Sequence, residues 1–486
     1  LEYKGDALVA SKSISTSKSG WEAQMYFSNA IGDGTQANNP HLQELPDPIT
    51  KISWDNYVTM APSDMRENDW ETRTAQETPA SLITVAINGV NIELPAVSSP
   101  GQKKGTVGIA LGYGRSVSGK TGATGKNAYT GLTFENGTYN YSASDISLNG
   151  TDQTYQIASV QTHHTMMGRK IVNETSLATF KETDKNDEHK GWNKDLKLQD
   201  GFGRVTPVKE MNLWDDHGIE RGHRWGLNVD LNACTGCGAC VTACHIENNV
   251  AIVGKDEIRR TRSMFWLRID RYYSSDTSKA SAKEDGTGVM DMYAEMEIPS
   301  DYPDVVFQPV MCQHCNHAPC ETVCPVAATT HSEEGLNQMT YNRCIGTRYC
   351  AANCPYKVRR FNWFNYNKDP KFTDFNPTQN DLSRMVLNPD VVVRSRGVIE
   401  KCSFCVQKIQ AGKLVAKKAK RPVQDGDVVS ACASACPTNA ISFGDLNDSK
   451  SKVRANFDNE RSYFMIEEVG TQPNVAYMTK VRNRKA

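Results

Sequence analysis

All of the cysteines in this chain lie in one part of it. The sequence has 486 residues and 15 cysteines, of which Cys234 is the first and Cys436 the last. Thiols that merely fill a hydrophobic core would be scattered along the chain rather than confined to one stretch. The crowding therefore predicts a domain boundary upstream of Cys234 and a thiol-based chemistry within the domain that follows.

These cysteines form four motifs, three of which end in the Cys-Pro pair typical of bacterial ferredoxins. Motif 1 has the spacing C-x2-C-x2-C-x3-C, with His245 in the place of the proline. A long insertion divides motif 4 into two halves. The thiols are Cys234, Cys237, Cys240 and Cys244 in motif 1; Cys312, Cys315, Cys320 and Cys324 in motif 2; Cys344, Cys350 and Cys354 in motif 3; and Cys402, Cys405, Cys432 and Cys436 in motif 4.

Two other uses of cysteine fit this pattern poorly. A disulfide framework is disfavoured because the count is odd and thiols two residues apart rarely reach disulfide geometry. Zinc ribbons need two C-x2-C pairs separated by a loop, with four thiolates for each metal ion. The spacing therefore predicts iron–sulfur clusters, bound through all of these cysteines.

Motif 3 lacks one thiol, because Thr347 stands where its second cysteine belongs. A neutral hydroxyl is a poor ligand for iron beside thiolates. Three complete 4Fe-4S clusters use twelve thiols, and the remaining three suit a 3Fe-4S cluster. In the alternative, Thr347 or water binds weakly and a fourth complete 4Fe-4S cluster persists.

Residues 1–150 are rich in glycine, serine and threonine and contain short runs of strand-forming residues. The pattern predicts strands over residues 81–88, 90–94 and 106–111, with a turn at Gly89, and so a β-barrel. Together with the cysteine-rich region it predicts an α+β chain. A group of glycines suits tight barrel turns better than a close approach to a phosphate or pterin: Gly119, Gly122 and Gly125.

The rest of the chain divides by composition. Residues 151–215 are predicted to be a polar linker, 216–446 a four-cluster ferredoxin-like domain, and 447–486 a charged tail lying on a partner or in solvent. His163 and His164 are weak metal ligands, because adjacent side chains on a strand face opposite ways.

Several polar residues near the motifs have more than one interpretation. Three histidines are weak candidates for additional ligands, since thiolates already complete the sets: His245, His314 and His317. Three basic residues follow Cys354-Pro355, and they either raise the potential of a nearby cluster or form a solvated or docking surface: Lys357, Arg359 and Arg360.

Charge and hydropathy exclude other classes of protein. Lys and Arg total 55 and Asp and Glu total 56, a balance that argues against a nucleic-acid binder. No apolar run is long enough to span a membrane. The first thirty residues carry no signal-peptide pattern, and the chain begins at Leu1, so further residues are expected upstream.

From Trp225 to Asp445 the chain resembles the four-cluster iron–sulfur subunits of molybdopterin oxidoreductases. The motifs that carry the resemblance begin at Cys234, Asn342 and Val398. The resemblance implies that motif 1 exchanges its last ligand with motif 4, and motif 2 with motif 3. The implied sets are Cys234, Cys237, Cys240 and Cys436; Cys244, Cys402, Cys405 and Cys432; Cys312, Cys315, Cys320 and Cys354, each for a 4Fe-4S cluster; and Cys324, Cys344 and Cys350 for the 3Fe-4S cluster.

Residues 20–130 resemble the C-terminal barrel of the large molybdopterin subunit, through segments 42–48, 54–57 and 112–115. Barrel, linker and ferredoxin domain in one chain resemble the iron–sulfur subunit of alternative complex III, a quinol:electron-acceptor oxidoreductase. That resemblance implies a peripheral place on the periplasmic side of the bacterial inner membrane. It also implies an integral-membrane quinol-binding subunit and heme c subunits as partners, with no molybdenum.

The expected function is therefore electron transfer, from quinol oxidised in a membrane partner into the 3Fe-4S cluster and on through the others. No catalytic triad, phosphate-binding loop or paired carboxylates are legible in the sequence. Two alternatives remain: an electron-transfer subunit of a molybdopterin-dependent reductase, such as polysulfide reductase, and a structural scaffold whose clusters do not turn over.

Overall fold

The computed structural model describes residues 20–73, 78–117, 119, 121–135, 137–187, 191–193, 195–211, 217–376 and 381–483. The chain divides into two compact units. The first contains the residues up to Thr162 and the short segment Ser300–Pro303, and the second contains His163–Pro299 and the residues from Asp304 onward. The mixture of helices and strands agrees with the predicted α+β class, whereas the predictions about the first residues of the chain lie outside the described residues.

The first unit is built mainly from strands. The strands are β1 (Trp21–Phe27), β2 (Ile52–Ser53), β3 (Val58–Met60), β4 (Ala80–Ile87), β5 (Val90–Ser98), β6 (Thr106–Leu111), β7 (Thr133–Glu135), β8 (Thr138–Asn140), β9 (Ser142–Tyr155) and β10 (Ala158–Ser159), with helices α1 (Pro40–Glu44) and α2 (Pro62–Glu67). Six of the strands close into a barrel in the order β1-β6-β3-β5-β4-β9.

The hairpin of β4 and β5 shows why the barrel forms. Buried residues alternate along most of β4, so one face of the strand packs into a core that includes Ile83 and Val85. Asn88 and Gly89 both have positive φ, 49° and 80°, as a two-residue turn with the twist of a hairpin requires. Ile87 pairs with Val90 across this turn, where the sequence predicts it.

The glycines that follow β6 pack against the chain itself. A Cβ at Gly119 would lie 2.1 Å from Nδ2 of Asn38, and one at Gly125 would lie 2.6 Å from Oδ1 of Asn56. Both distances are far below ordinary contact. The chain's own asparagine side chains therefore account for glycine at these two positions, as the tight-turn interpretation expects.

The second unit combines short helices with small sheets. Its strands are β11 (Glu174–Ser176), β12 (Lys197–Gln199), β13 (Val205–Pro207), β14 (Trp225–Asp230), β15 (Arg268–Tyr273), β16 (Val305–Val310), β17 (Thr329–His331), β18 (Asn337–Met339), β19 (Arg360–Phe361), β20 (Ile399–Glu400), β21 (Ile441–Asp445), β22 (Ser462–Tyr463), β23 (Val475–Met478) and β24 (Lys480–Arg482). Its helices are α3 (Leu177–Glu182), α4 (Ala239–Glu247), α5 (Gly254–Arg259), α6 (Lys279–Glu284), α7 (Val289–Met296), α8 (Pro319–Thr322), α9 (Tyr349–Ala352), α10 (Asp381–Arg384), α11 (Val406–Lys418), α12 (Ala431–Ser434) and α13 (Lys452–Phe457).

The predicted C-terminal tail is wrong, because residues 447–483 are folded into this unit. Strand β23 pairs in parallel with β14 inside a four-stranded sheet of order β21-β14-β23-β22. All four residues of β23 are buried. The charged residues of this stretch lie beside the strand rather than in it, and overall composition therefore hid a short apolar strand.

The predicted linker, residues 151–215, also differs from the structure. Its first part continues the barrel, since β9 reaches Tyr155. Farther on, β11 pairs in parallel with β24, and the side chain of Trp192 is buried. His164 stacks on Tyr273 and lies 3.3 Å from a guanidinium nitrogen of Arg271, so this histidine has the polar role that its sequence position suggests.

A search of the described helices for one that is both long and apolar enough to cross a bilayer found none.

Candidate metal centres

Each of the four cysteine motifs contains a tight loop with the same backbone feature. The residue two positions after the first thiol has a positive φ in every motif: Gly236 (75°), His314 (45°), Gly346 (74°) and Phe404 (56°). In motif 1 a Cβ at this position would lie 2.6 Å from the ring of Phe307, which explains the glycine there. The loops turn sharply enough to place the two thiols of a C-x2-C pair beside each other.

Short helices carry the remaining thiols. Cys240 and Cys244 lie four residues apart on α4, which places both on one face about one helical turn apart. The same spacing separates Cys320 on α8 from Cys324, Cys350 on α9 from Cys354, and Cys432 on α12 from Cys436. Helix α4 packs against α12, and α8 packs against α9. Each helix, together with the residues that directly follow it, can therefore deliver one thiol to each of two neighbouring sites.

Thiol group A consists of the first three thiols of motif 1 and the last thiol of motif 4. Strands β14 and β21 are antiparallel, with Val229 opposite Ile441, so the end of β14 meets the start of β21. Burial and then the thiol of Cys436 raise the pKa of Cys234. The group's members, whose thiols neighbour one another, are Cys234, Cys237, Cys240 and Cys436.

Thiol group B is the more deeply buried partner of group A. Burial raises the pKa of Cys244 well above its usual value, and the thiol of Cys402 is the next largest cause. Burial raises the pKa of Cys432 to about 12, with the thiol of Cys405 as the next cause. The group's members are Cys244, Cys402, Cys405 and Cys432.

Thiol groups C and D repeat this arrangement with motifs 2 and 3. Burial raises the pKa of Cys315 well above its usual value, and the next causes are the other three thiols of group C. In group D, burial is the largest cause that raises the pKa of Cys350, and the thiols of Cys344 and Cys324 also raise it. Group C contains Cys312, Cys315, Cys320 and Cys354, and group D contains Cys324, Cys344 and Cys350.

The four groups follow one another in the order A, B, C, D. Cys240 of group A neighbours Cys432 of group B, and Cys402 of group B neighbours Cys312 of group C. Between B and C the imidazole of His314 stacks on the ring of Phe404, with centroids 3.8 Å apart. Three thiols of group A and two of group D are partly exposed, whereas all four thiols of group C are buried. Groups A and D are thus the ends of the row.

Hydrogen bonds to sulfur accompany the thiols. Backbone N–H groups of Ala328 and Ala440 donate to the sulfurs of Cys324 and Cys436, each at 3.2 Å. Burial by itself raises the pKa of these two thiols, but their hydrogen bonds outweigh it, so the pKa of both is lowered. Such donors favour thiolate over thiol, as a metal centre requires.

Arg359 is the most unusual polar residue of the site. Only 6% of its surface is exposed, and its Nη2 donates to the sulfur of Cys320 at 3.0 Å. Burial by itself lowers its pKa, but the charges of Cys320 and Cys350 outweigh burial and raise it. Among the described residues, no carboxylate forms an ion pair with Arg359.

The charge of Arg359 indicates whether the thiol groups beside it suit an iron–sulfur cluster. A buried charge without a partner of opposite sign costs several kcal/mol, and the opposite charges beside Arg359 belong to thiols of groups C and D. None of the 15 thiols is in a disulfide. A cluster held by thiolates supplies the negative charge that this cation needs, so the donor sets and their surroundings fit such clusters.

The basic residues after Cys354 have three different roles. Lys357 is exposed and donates to the carbonyl of Ala352. The Nε of Arg360 donates to the carbonyl of Phe265 at 3.0 Å. Arg359 alone of the three reaches a sulfur among the described contacts. The structure therefore separates interpretations that the sequence leaves open.

The three histidines near the motifs lie in structural contacts. His314 accepts a hydrogen bond at Nδ1 from the backbone of Asn337, and burial is the main cause that lowers its pKa well below the usual value. His245 stacks on Phe265, and the backbone N–H of His317 donates to the carbonyl of Thr471.

Sequence reasoning missed three polar residues that touch the thiol groups. Asn248 donates to the sulfur of Cys244 at 3.6 Å, and its position one helical turn after that thiol is a signal that could have found it. Lys401 is buried just before Cys402 and donates to the carbonyls of Asn337 and Cys402. Asn337 lies 3.7 Å from the sulfur of Cys320, and no sequence pattern points to it.

Comparison with known proteins agrees with this geometry. Two models of the 4Fe-4S dicluster domain match residues 233–328 and 303–369, which contain motifs 1 to 3. Motif 4 lies outside both matches, although the structure brings its thiols into groups A and B.

Three relatives illustrate the similarity. The iron–sulfur cluster-binding subunit of menaquinone reductase from Nitratidesulfovibrio vulgaris is 37% identical over 261 residues, which cover 53% of this chain and 89% of the relative. A putative iron–sulfur subunit of dimethyl sulfoxide reductase from Halobacterium salinarum is 31% identical over 256 residues, 52% of this chain and 78% of the relative. The Hdr-like menaquinol oxidoreductase iron–sulfur subunit 1 from Archaeoglobus fulgidus is 27% identical over 276 residues, 53% of this chain and 84% of the relative. The chain therefore belongs to the family of iron–sulfur electron-transfer subunits that includes those of menaquinone reductase and dimethyl sulfoxide reductase.

Proposed function

We propose that thiol groups A, B and C each hold a 4Fe-4S cluster and that group D holds a 3Fe-4S cluster. When bound, such clusters accept and pass on single electrons without bond chemistry. The protein's own part is to hold the thiols, exclude water and place hydrogen-bond donors at the sulfurs. This assignment is supported by the neighbouring thiols of each group and by the buried guanidinium of Arg359.

The three-iron assignment for group D rests on Thr347. Its backbone surroundings match those of Cys237: Gly346 and Gly236 have φ of 74° and 75°, and Arg348 and Gly238 have φ of 64° and 81°. Residue 347 therefore occupies the position of a ligand but carries a hydroxyl, and it is exposed. A site with one ligand replaced by a hydroxyl favours the cluster that needs only three thiolates.

The proposed function is to relay electrons from quinol, oxidised in a membrane partner, to a periplasmic acceptor such as cytochrome c. The observation that carries this proposal is the single row of four thiol groups with a partly exposed group at each end. We place electron entry at group D. The side chains beside Thr347 there are large, apolar and exposed, 67% for Ile345 and 58% for Tyr349, as suits contact with another subunit.

Within this function we propose that the chain is the iron–sulfur subunit of alternative complex III, which its sequence resembles. A barrel followed by a thiol-rich unit in one chain supports that identification, and the resemblance implies a barrel without molybdenum. The partners would be an integral-membrane quinol-binding subunit and heme c subunits. The subunit would be peripheral, held on the periplasmic side of the inner membrane.

The experiment is an analysis of the purified complex by iron content and electron paramagnetic resonance. Three 4Fe-4S clusters and one 3Fe-4S cluster correspond to about 15 irons per chain. The oxidised complex should show a three-iron signal that disappears within the turnover time after quinol is added. Zinc in place of iron, or four four-iron clusters, would overturn the assignment.

A second candidate function is electron transfer for a molybdopterin-dependent reductase such as polysulfide reductase. The similarity to a dimethyl sulfoxide reductase subunit favours it. Metal analysis of the same complex separates the two, because stoichiometric molybdenum supports the reductase and its absence from an active quinol oxidase supports the first proposal.

The third candidate, a scaffold whose clusters do not turn over, makes a different kinetic prediction. Freeze-quenched samples taken after quinol addition would then show clusters whose redox state does not change on the turnover timescale. Reduction of the clusters within that time excludes the scaffold.

A further inference from the structure

Arg359 lies between two of the thiol groups rather than beside one. Its guanidinium donates to Cys320 of group C at 3.0 Å, and its charge acts on Cys350 of group D. Its other polar contacts hold it in place: Nη1 donates to Oγ1 of Thr329 at 3.0 Å and lies 3.7 Å from Sδ of Met339, and Nη2 donates to Oδ1 of Asn337 at 2.9 Å. Neutral oxygens fix the orientation of this cation without cancelling its charge.

We propose that Arg359 is a positioning residue for electron flow. Its charge raises the reduction potentials of clusters C and D and makes C the most readily reduced of the three 4Fe-4S clusters. The inference rests on the proposed function, because it requires clusters at these thiols. Adding an electron makes a cluster more negative, and a buried cation stabilises that state. The step is transfer of one electron from D to C, with D oxidised, C reduced and no bond formed or broken.

The surroundings of group C differ from those of A and B. Lys401 is a second buried cation; it donates to the carbonyl of Cys402 in group B, and its charge acts on Cys320 of group C. Group C therefore faces two cations. Near group A, Lys480 is only partly buried and has Glu174 and Asp230 beside it. Near group B, Lys408 lies 3.6 Å from a carboxylate oxygen of Glu247.

The buried arginine nearest group B is also neutralised. Arg394 forms an ion pair with Glu400 at 2.8 Å, and their side chains are 1% and 2% exposed. Its charge acts on Cys244, but the adjacent carboxylate opposes that effect at any distance beyond the pair. Among the described residues, the two buried cations of group C thus form no ion pair, whereas the cations near A and B have carboxylates beside them. Glu321, which follows Cys320 in the chain, accepts from Asn337 instead.

The test is a redox titration, followed by electron paramagnetic resonance, of the intact complex carrying Arg359→Gln. Loss of a charged hydrogen bond should reduce the ratio of reduced to oxidised cluster C by roughly tenfold or more at a fixed potential. Cluster D should shift in the same direction by less, while A and B stay unchanged. Arg359→Lys, which keeps the charge, should lie between Arg359→Gln and the natural chain.

Lys357→Gln is the matched control, since it removes a neighbouring cation that is exposed, and it should leave all four potentials unchanged. Unchanged potentials of C and D in Arg359→Gln, with all irons present, would overturn the inference and leave the proposed function standing. Absence of iron from the natural chain would instead overturn the proposed function.

If Arg359→Gln fails to assemble, a measurement on the natural chain decides. The complex is prepared with ¹⁵N-labelled arginine, and cluster C is reduced and studied by electron–nuclear double resonance. A hyperfine coupling to ¹⁵N supports a guanidinium that donates to the sulfur of the cluster. The coupling would be assigned to Arg359, because no other arginine donates to a cysteine sulfur among the described contacts. Absence of the coupling would overturn the inference.

Discussion

In the half of the second unit that carries thiol groups A and B, α4 packs against α12, and in the half that carries C and D, α8 packs against α9. The two halves place their cysteines in the same way, because each helix, with the residues that directly follow it, offers two thiols four positions apart. They differ in charge. One half buries Arg394 in an ion pair with Glu400, and the other buries Arg359, whose neighbouring opposite charges are those of thiols. The backbone thus sets where the thiol groups lie, and individual side chains distinguish one group from another.

The first prediction tests whether the backbone places residue 347 in motif 3 as it places Cys237 in motif 1. Thr347→Cys should complete group D and convert the 3Fe-4S cluster to a 4Fe-4S cluster, since residue 347 is placed like Cys237. Iron should rise from about 15 to about 16 per chain, and the three-iron resonance of the oxidised complex should vanish. Thr347→Ser is the control and should keep that resonance. Persistence of the three-iron signal in Thr347→Cys would show that the backbone positions differ.

The second prediction tests how much the buried ion pair of Arg394 with Glu400 stabilises the protein. Arg394→Met leaves Glu400 as a buried charge without its partner, which should lower the free energy of unfolding by about 3–5 kcal/mol. Chemical denaturation measures the change. The double variant Arg394→Met with Glu400→Gln should recover part of the lost stability, because it removes the buried charge. In the natural chain Nε1 of Trp266 donates to Oε2 of Glu400 at 2.9 Å, and the amide oxygen of glutamine can still accept this hydrogen bond. An unchanged stability of Arg394→Met would contradict the importance of this pair.

The third prediction has the smallest expected effect. Asn248→Leu removes a neutral amide whose Nδ2 lies 3.6 Å and 3.9 Å from the sulfurs of Cys244 and Cys405. Neutral hydrogen bonds contribute less than charged ones, so the reduced fraction of cluster B at a fixed potential should fall by less than about tenfold. Redox titrations of Asn248→Leu and Arg359→Gln under the same conditions measure the shift of cluster B in the first variant and of cluster C in the second. A larger shift in potential from Asn248→Leu than from Arg359→Gln would contradict the proposal that the charged side chain has the stronger influence.

Local patterns predicted much of the fold. The strands expected over residues 81–88 and 106–111 are observed as β4 and β6, because period-two alternation and Asn-Gly turns act over a few residues. The prediction failed for residues 447–486, where β23 is a four-residue strand. Its stability comes from pairing with β14, more than 240 residues earlier in the chain, and such a partner leaves no mark on the local composition.

The sequence alone determined the kind of chemistry. Cysteine spacing is a local property, and C-x2-C loops and i, i+4 thiols keep their geometry wherever the segment lies. Tertiary structure decided which of the basic residues 357, 359 and 360 faces the thiols. Three cations within four positions look alike in sequence, but only Arg359 is buried against sulfur, because burial and charge pairing depend on segments that meet only in the folded chain.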